Sequence, residues 1–204
     1  MKWLLALMTV VTLQAANAAN YVQGQHYVEL DYPVRTNNPD KVEVVELFWY
    51  GCPHCFRLEP GVEAWKAGIA EDVDFQQIPA VLGRSWEPHA RAFWVATATG
   101  VLEQTHQAFF NAIHLDKKRM VSEGELKRFF AAYGVSEAQF DQQYRGFATE
   151  SRLKQTESRI NSYGIQGVPA FIVNGKYRVS ASSAGGEQAL FDVINFLIEK
   201  ERGA

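Results

Sequence analysis

The clearest signal along the chain is a change of apolar period at Gly51. Residues 42–50 (VEVVELFWY) form a near-continuous apolar run with the length and the β-branched and aromatic content of a strand buried on both faces. Gly51 ends it. Cys55, Leu58, Val62, Trp65 and Ile69 then recur at three- and four-residue intervals, which predicts a helix. Pro60 falls inside that helix and removes one backbone bond, so a kink is expected about one turn beyond Cys55. Residues 73–78 (VDFQQI) return to a strand pattern, and strand, helix and strand together read as a βαβ unit. A short strand over residues 27–30 precedes it, separated by a turn-rich stretch with Pro33, Asn37, Asn38 and Pro39.

The character changes after about Gly83. Strand patterns vanish and short helical patterns follow one another: residues 88–99 with Phe93 and Trp94, then 102–115 with Phe109, Phe110 and Ile113. Ser122 with Glu125, and Ser136 with Gln139, are capping-box signals ahead of two more helices. This block reads as a helical insert whose aromatics form its own core. Residues 149–163 predict a helix stopped by Gly164, and 170–173 a strand. Asn174-Gly175 is a hairpin signal, residues 176–179 return antiparallel, and Gly185-Gly186 precedes a last amphipathic helix. The class is α/β: β, β, α, β, helical insert, α, β, β, α.

The N-terminus reads as a targeting segment. Lys2 is followed by an eleven-residue apolar stretch (WLLALMTVVTL), and Ala16-Asn17-Ala18 fits small-x-small cleavage. That stretch is short of the roughly 20 residues a membrane-spanning helix needs. Cleavage near Ala18 would release a mature chain starting at Ala19 in an oxidising compartment, and with no cysteine after the apolar stretch a lipid anchor is not expected. With 204 residues the chain suits one domain and its insert. A net charge of -3 gives no reason to propose a nucleic-acid partner.

Export changes how the two cysteines read. Cys52 and Cys55 are the only pair, and a disulfide closing so small a loop stabilises by only about 2 kcal/mol, against about 4.7 for a hundred-residue loop. The pair makes better sense as one that opens and closes. If Cys52 lies at a helix N-terminus, Cys55 follows one turn on, on the same face. Pro53 suits the first helical position, and the unpaired N–H groups there favour a thiolate. His54 adds partial positive charge or a hydrogen bond. Stabilising the thiolate stabilises the reduced form, so the disulfide becomes a stronger oxidant. Cys52 is expected to exchange with substrate and Cys55 to resolve. No cofactor is required, because the sulfurs carry the electrons. The competing reading is a zinc or copper site using Cys52, His54 and Cys55. A structural zinc site wants four ligands, and His26, His89, His106 and His114 are scattered without a paired motif, so no metal is expected.

The stretch Phe48-Trp49-Tyr50-Gly51-Cys52-Pro53-His54-Cys55, with Gly167-Val168-Pro169-Ala170 and the Asn174-Gly175-Lys176-Tyr177 hairpin, resembles the DsbA family of periplasmic thiol:disulfide interchange proteins. The resemblance spans essentially the whole mature chain. It implies a thioredoxin-like fold over residues 19–83 and 148–204, with 84–147 as the inserted helical subdomain and 1–18 as the signal peptide. It implies that Val168-Pro169 is the family's cis-proline loop, lying against the disulfide and pairing with an extended substrate. Glu46 matches the family's buried acid. On its own, an acid in this strand reads equally well as an edge or ion-paired residue; the resemblance assigns it proton transfer with Cys55. The family often pairs that acid with a lysine, where this chain has Gln77.

The implied function is a monomeric periplasmic oxidase that donates the Cys52–Cys55 disulfide to reduced, newly exported proteins and is reoxidised by a DsbB-type quinone-linked membrane oxidase. A reductase or isomerase, and a metal-binding carrier, are the alternatives. The surface of the insert is expected to form a groove beside Cys52 with the Val168-Pro169 loop.

Overall fold

A central strand that is wholly buried organises the molecule. The computed structural model describes residues 21–203; the export segment assigned to residues 1–18 lies outside them. Strands β1 (Val28–Glu29), β2 (Val42–Phe48), β3 (Val73–Pro79), β4 (Ala170–Val173) and β5 (Tyr177–Val179) form one mixed sheet in the order β1-β5-β4-β2-β3. β2 runs parallel to β3 and antiparallel to β4, and the β4–β5 and β5–β1 pairs are antiparallel. Every residue of β2 is buried, because helices cover both of its faces.

The period of two along β2 sorts its side chains. Val42 and Val44 pack with Leu58 and Val62 of α1 (Pro53–Lys66) and with Leu190, Val193, Ile194 and Leu197 of α8 (Glu187–Arg202). Val45 and Leu47, on the other face, pack with Ile160 of α6 (Phe147–Ser162), Tyr163 and Ile165. Glu46 falls on the α1 side between Val44 and Phe48, and Glu43 on the α6 side.

Between β3 and α6 the chain forms α2 (Glu87–Thr99), α3 (Leu102–His114), α4 (Glu123–Ala131) and α5 (Glu137–Tyr144). Both capping boxes form: Ser122 and Glu125 close α4, and Ser136 and Gln139 close α5. The aromatics of this block do not make a separate core. Phe93, Phe109, Phe110, Phe130 and Phe140 belong to one cluster with Phe48, Tyr50, Cys52 and Cys55. The reason is geometric: Phe48 and Tyr50 extend past the helices that cover the rest of β2, and α3 closes over them. Phe110 stands with ring centroids 4.8 Å from Tyr50 and 5.9 Å from Phe48.

The remaining differences from expectation are at element ends. β2 stops at Phe48 rather than residue 50, because the Cys52 N–H closes a turn onto the Trp49 carbonyl at 2.9 Å. α1 stops at Lys66, so Ile69 lies beyond it, and β1 has two residues. α6 begins at Phe147, two residues earlier than its periodicity suggests. A four-residue helix, α7 (Ala181–Ala184), follows β5; Ser180 and Ser183 cap it reciprocally, and its small residues carry no apolar period. In the β4–β5 turn a Cβ on Gly175 would meet the Val34 carbonyl oxygen at 1.9 Å, and Gly175 has φ +63°. Only glycine fits that approach.

Because the insert shares its core with the redox loop, the two should unfold together. Phe110→Ala, at a fully buried position, is expected to cost about 3–5 kcal/mol. Urea unfolding followed by circular dichroism and by tryptophan fluorescence should show one coincident transition shifted to lower denaturant.

Candidate active site

The turn that ends β2 delivers the first sulfur to the open end of α1. Cys52 is the N-cap residue of α1, with extended backbone (φ −85°, ψ 119°), and Pro53 occupies the first turn. The Cys52 carbonyl accepts the Phe56 N–H at 3.0 Å, so the helix is engaged from its first residue. No side chain caps this N-terminus, which leaves its N–H groups directed at the Cys52 sulfur. Gly51 is required by crowding: a Cβ there would come within 2.3 Å of the Trp49 ring, which is itself stacked on Trp86 at 4.2 Å.

Both cysteines are free thiols, Cys52 with 7% of its surface exposed and Cys55 with 1%. Their ionisation is split. The hydrogen bond from the Cys55 thiol, then the Cys55 and His54 backbone N–H groups and the charge of His54, outweigh burial and lower Cys52 to about 6. Burial first, then the hydrogen bond to Cys52 and its charge, push the Cys55 thiol far up. A single proton is thus shared by two sulfurs and held by Cys55. His54 is exposed, and its Nδ1 lies 2.8 Å from Nη2 of Arg57, which donates to it when the ring is neutral; the charge of His54 acts on Cys52 when the ring is protonated.

The Val168–Pro169 peptide is cis, and the Cys52 thiol lies 3.5 Å from the Val168 carbonyl oxygen, within reach of a sulfur donor. A cavity of about 220 Å³ takes in His54, Leu58, Val168, Pro169, Ser180, Ser182 and Glu187, and a neighbouring one of about 480 Å³ continues along Val168–Ala170 past Arg178. The groove beside Cys52 is therefore walled by α7 and the start of α8. No residue of the helical insert lines either of these two cavities, and Val168 also packs against the cluster that holds the insert's aromatics.

Beneath the cysteines lies a buried acid pair. Glu46 and Glu59 are each 1% exposed. The strand register sets Gln77 opposite Glu46, and its amide donates to Glu46 Oε2 at 2.9 Å and reaches both Glu59 oxygens at 3.5 Å. Burial and the charge of Glu59 raise Glu46 to about 8, against the opposing bond from Gln77. Glu46 in turn contributes to raising Cys55. Three histidines from the insert surround Tyr50, which precedes the redox turn. His106 Nδ1 is 2.7 Å from the Tyr50 hydroxyl, and His114 Nε2 donates to the Tyr50 carbonyl at 2.8 Å. His89 stands edge-on to the Tyr50 ring at 6.5 Å and donates to the Arg119 carbonyl, with burial lowering its basicity. They are scattered in sequence and adjacent in space. Among the described residues, no three or more His, Cys, Asp or Glu side chains converge as a metal-binding group.

Comparison with known proteins gives the same picture. Residues 66–192 match the family model described as a DSBA-like thioredoxin domain. The chain is 39% identical over 203 residues to the thiol:disulfide interchange protein DsbA of Pseudomonas aeruginosa, covering 98% of this chain and 96% of that one. It is 40% identical over 191 residues to the DsbA of Azotobacter vinelandii, covering 94% and 89%. The chain belongs to the DsbA family. Its fold is the DsbA-like thioredoxin fold: the crystal structure of P. aeruginosa DsbA superposes with TM-score 0.86 at 40% identity over 90% of this chain and 95% of that one. Oxidoreductase DsbA from Xylella fastidiosa superposes at 0.84 with 34% identity over 90% and 99%. The protein is accordingly a thiol:disulfide oxidoreductase.

Within this DsbA site, Cys52, Pro53, His54, Val168 and Pro169 meet at one surface and Glu46 lies below. Tyr50, Arg57, Glu59, His106, Ser180 and Ser182 were missed by sequence reasoning. Glu59 carried a faint signal, since it sits beside Leu58 on the inner side of an amphipathic helix. Reduced protein treated with iodoacetamide should be modified at Cys52 alone near neutral pH. Because the thiolate is the nucleophile, the rate should rise with pH through a midpoint near 6 and level off above it.

Proposed function

We propose that the protein oxidises reduced, newly exported proteins in the periplasm by transferring its Cys52–Cys55 disulfide to them. The observation that carries this reading is the split between the sulfurs: one ionised at the helix start, one kept as a thiol. A Cys52 titrating near 6 is ionised at pH 7 by a factor of ten. That favours the reduced form by about 1.4 kcal/mol over an ordinary thiol, equivalent to about 30 mV in a two-electron couple. The disulfide is correspondingly eager to accept electrons.

The steps follow from accessibility and proton inventory. A substrate thiolate attacks Cys52 Sγ, the more exposed sulfur, forming a mixed disulfide and breaking the Cys52–Cys55 bond. Cys55 leaves as a thiolate in a setting that disfavours the charge, so it takes up a proton. Glu46, carrying its proton at neutral pH, is the proposed donor. A second substrate thiolate then attacks the substrate sulfur, and Cys52 leaves as the stabilised thiolate. Two electrons have moved from substrate to the cysteine pair. A DsbB-type quinone-linked membrane oxidase returns them onward, and the protein acts as a monomer. The groove along Val168, Pro169 and the α7 serines suits an extended chain lying beside Cys52, with backbone pairing giving affinity without a narrow sequence requirement.

In the metal-carrier alternative only Nε2 of His54 would be open to an ion, because Nδ1 faces the Arg57 guanidinium.

Oxidation of a reduced, unfolded disulfide protein tests the proposal. Cys52→Ala should abolish turnover. Cys55→Ala, incubated instead with the oxidised form of that protein, should accumulate a substrate–Cys52 mixed disulfide visible on a non-reducing gel, because Cys52 attacks the substrate disulfide and no Cys55 thiol remains to resolve it. Turnover by the Cys52 variant, or trapping on Cys55 instead, contradicts the assignment. A protein that reshuffles scrambled disulfides faster than it oxidises thiols would be an isomerase.

A further inference from the structure

The two buried carboxyls differ in what surrounds them. Glu59 Oε1 receives a 3.1 Å contact from His106 Nε2, and both of its oxygens lie at 3.5 Å from the Gln77 amide. Glu46 has one donor, Gln77, on Oε2, while its Oε1 is buried with no partner. An ionised Glu46 would leave part of its charge on a buried oxygen with no protein donor, which is costly away from bulk solvent. A protonated Glu46 leaves only a neutral group there.

The His106 ring is held so that it cannot easily turn away. The Tyr50 hydroxyl fixes Nδ1 at 2.7 Å, and Phe48 and Phe110 meet the ring edge-on at 5.2 and 5.3 Å, with Phe93 at 6.1 Å. With Glu59 ionised, a carboxylate only accepts, so the Nε2–H donates to Glu59 rather than accepting from the Gln77 amide 3.4 Å away. The charged and titratable groups acting on this cluster are Glu46 from β2, Tyr50 from the redox turn, and Cys55, Glu59 and Glu63 from α1, with neutral Gln77 from β3. α2 presents the Phe93 ring.

We propose that His106, supplied by the helical insert, is a positioning residue that keeps the negative charge of the acid pair on Glu59, so that the one proton the pair retains rests on Glu46. Two carboxyls sharing one amide in a dry site cannot both ionise, and the better-donated member keeps the charge. Glu46 is the member whose charge reaches Cys55, so the choice of site decides whether a proton stands ready at the redox centre. The direction of the Glu46 shift, upward with Glu59's charge among its causes, agrees with this arrangement. The inference deepens the proposed proton role of Glu46 and depends on oxidase chemistry only for its consequence.

Carboxyl carbon-13 NMR of the reduced full-length mature chain labelled at glutamate, with Glu46→Gln and Glu59→Gln for assignment, tests it without an activity assay. In wild type the Glu46 carbon should titrate on the alkaline side of neutral, and the Glu59 carbon should not share that step. His106→Leu removes the donor, the proton moves to Glu59, and the Glu46 midpoint should fall by about one pH unit or more. His106→Gln, whose amide can still donate, should restore most of the wild-type midpoint. In a Glu59→Gln background, His106→Leu should change the Glu46 midpoint by less than about 0.2 units. A wild-type protein in which Glu59 carries the proton overturns the proposal even if the leucine variant does not fold. So does a Glu46 midpoint unmoved in folded His106→Leu, or an equal shift without Glu59. Loss of oxidase activity with these titrations intact would instead count against the redox reading.

Discussion

Two sulfurs one helical turn apart, largely out of water, cannot both carry negative charge. The fold resolves this by unequal placement. Cys52 sits at the uncapped start of α1, where N–H groups and the positive end of the helix dipole face it; Cys55 sits one turn further, against the core. The hydrogen bond from Cys55 to Cys52 is both the result of that inequality and its main reinforcement, since it lowers one thiol while raising the other. Most of the surrounding architecture keeps this inequality in place. β2 and its turn fix where α1 begins, and Gly51 lets Trp49 fold under the loop; the Val168 carbonyl against the outer sulfur works the other way, since it accepts from a thiol and repels a thiolate.

The same constraint recurs one layer down. Glu46 and Glu59 repeat the problem with oxygen, and the Gln77 amide between them cannot satisfy two charges. Here the helical insert enters the chemistry. Its α3 carries His106 to the acid pair and His114 to the Tyr50 carbonyl, so the insert is joined to the redox turn by hydrogen bonds as well as by a shared aromatic core. A lysine opposite Glu46 would have brought a cation from the sheet; this chain has a neutral amide there and an imidazole arriving from the opposite side.

Much of the scaffold was legible because its signals are local. A near-continuous apolar run rich in β-branched and aromatic residues reads as a covered strand, capping boxes announce α4 and α5, and Cys-Pro-His-Cys after a glycine reads as a redox pair at a helix start. What escaped depends on distant parts of the chain. α7 is too short and too polar to show a period. The burial of Glu59 follows from α1 lying over β2, and the clustering of His89, His106 and His114 around Tyr50 follows from how α2 and α3 close on the redox loop, with Tyr50 and His106 56 positions apart. For the same reason the insert's aromatics read as a private core: nothing in their spacing reveals that Phe48 and Tyr50 complete it. The serines beside Pro169 look like ordinary turn residues, so their place along the groove had no local signal.

The central claim is that reduced protein holds one thiolate, Cys52, and one thiol, Cys55, at neutral pH. The reduction potential, measured against glutathione between pH 4.5 and 7.5, tests it most directly because the slope counts protons. Below the Cys52 titration two protons accompany two electrons, and the potential should fall by about 59 mV per pH unit; above it one proton does, and the slope should drop to about 30 mV per unit. The account predicts that break near pH 6, with a potential at pH 7 more oxidising than the roughly −270 mV of thioredoxin. A single slope of about 59 mV per unit through pH 7.5, at a potential near that of thioredoxin, would contradict it.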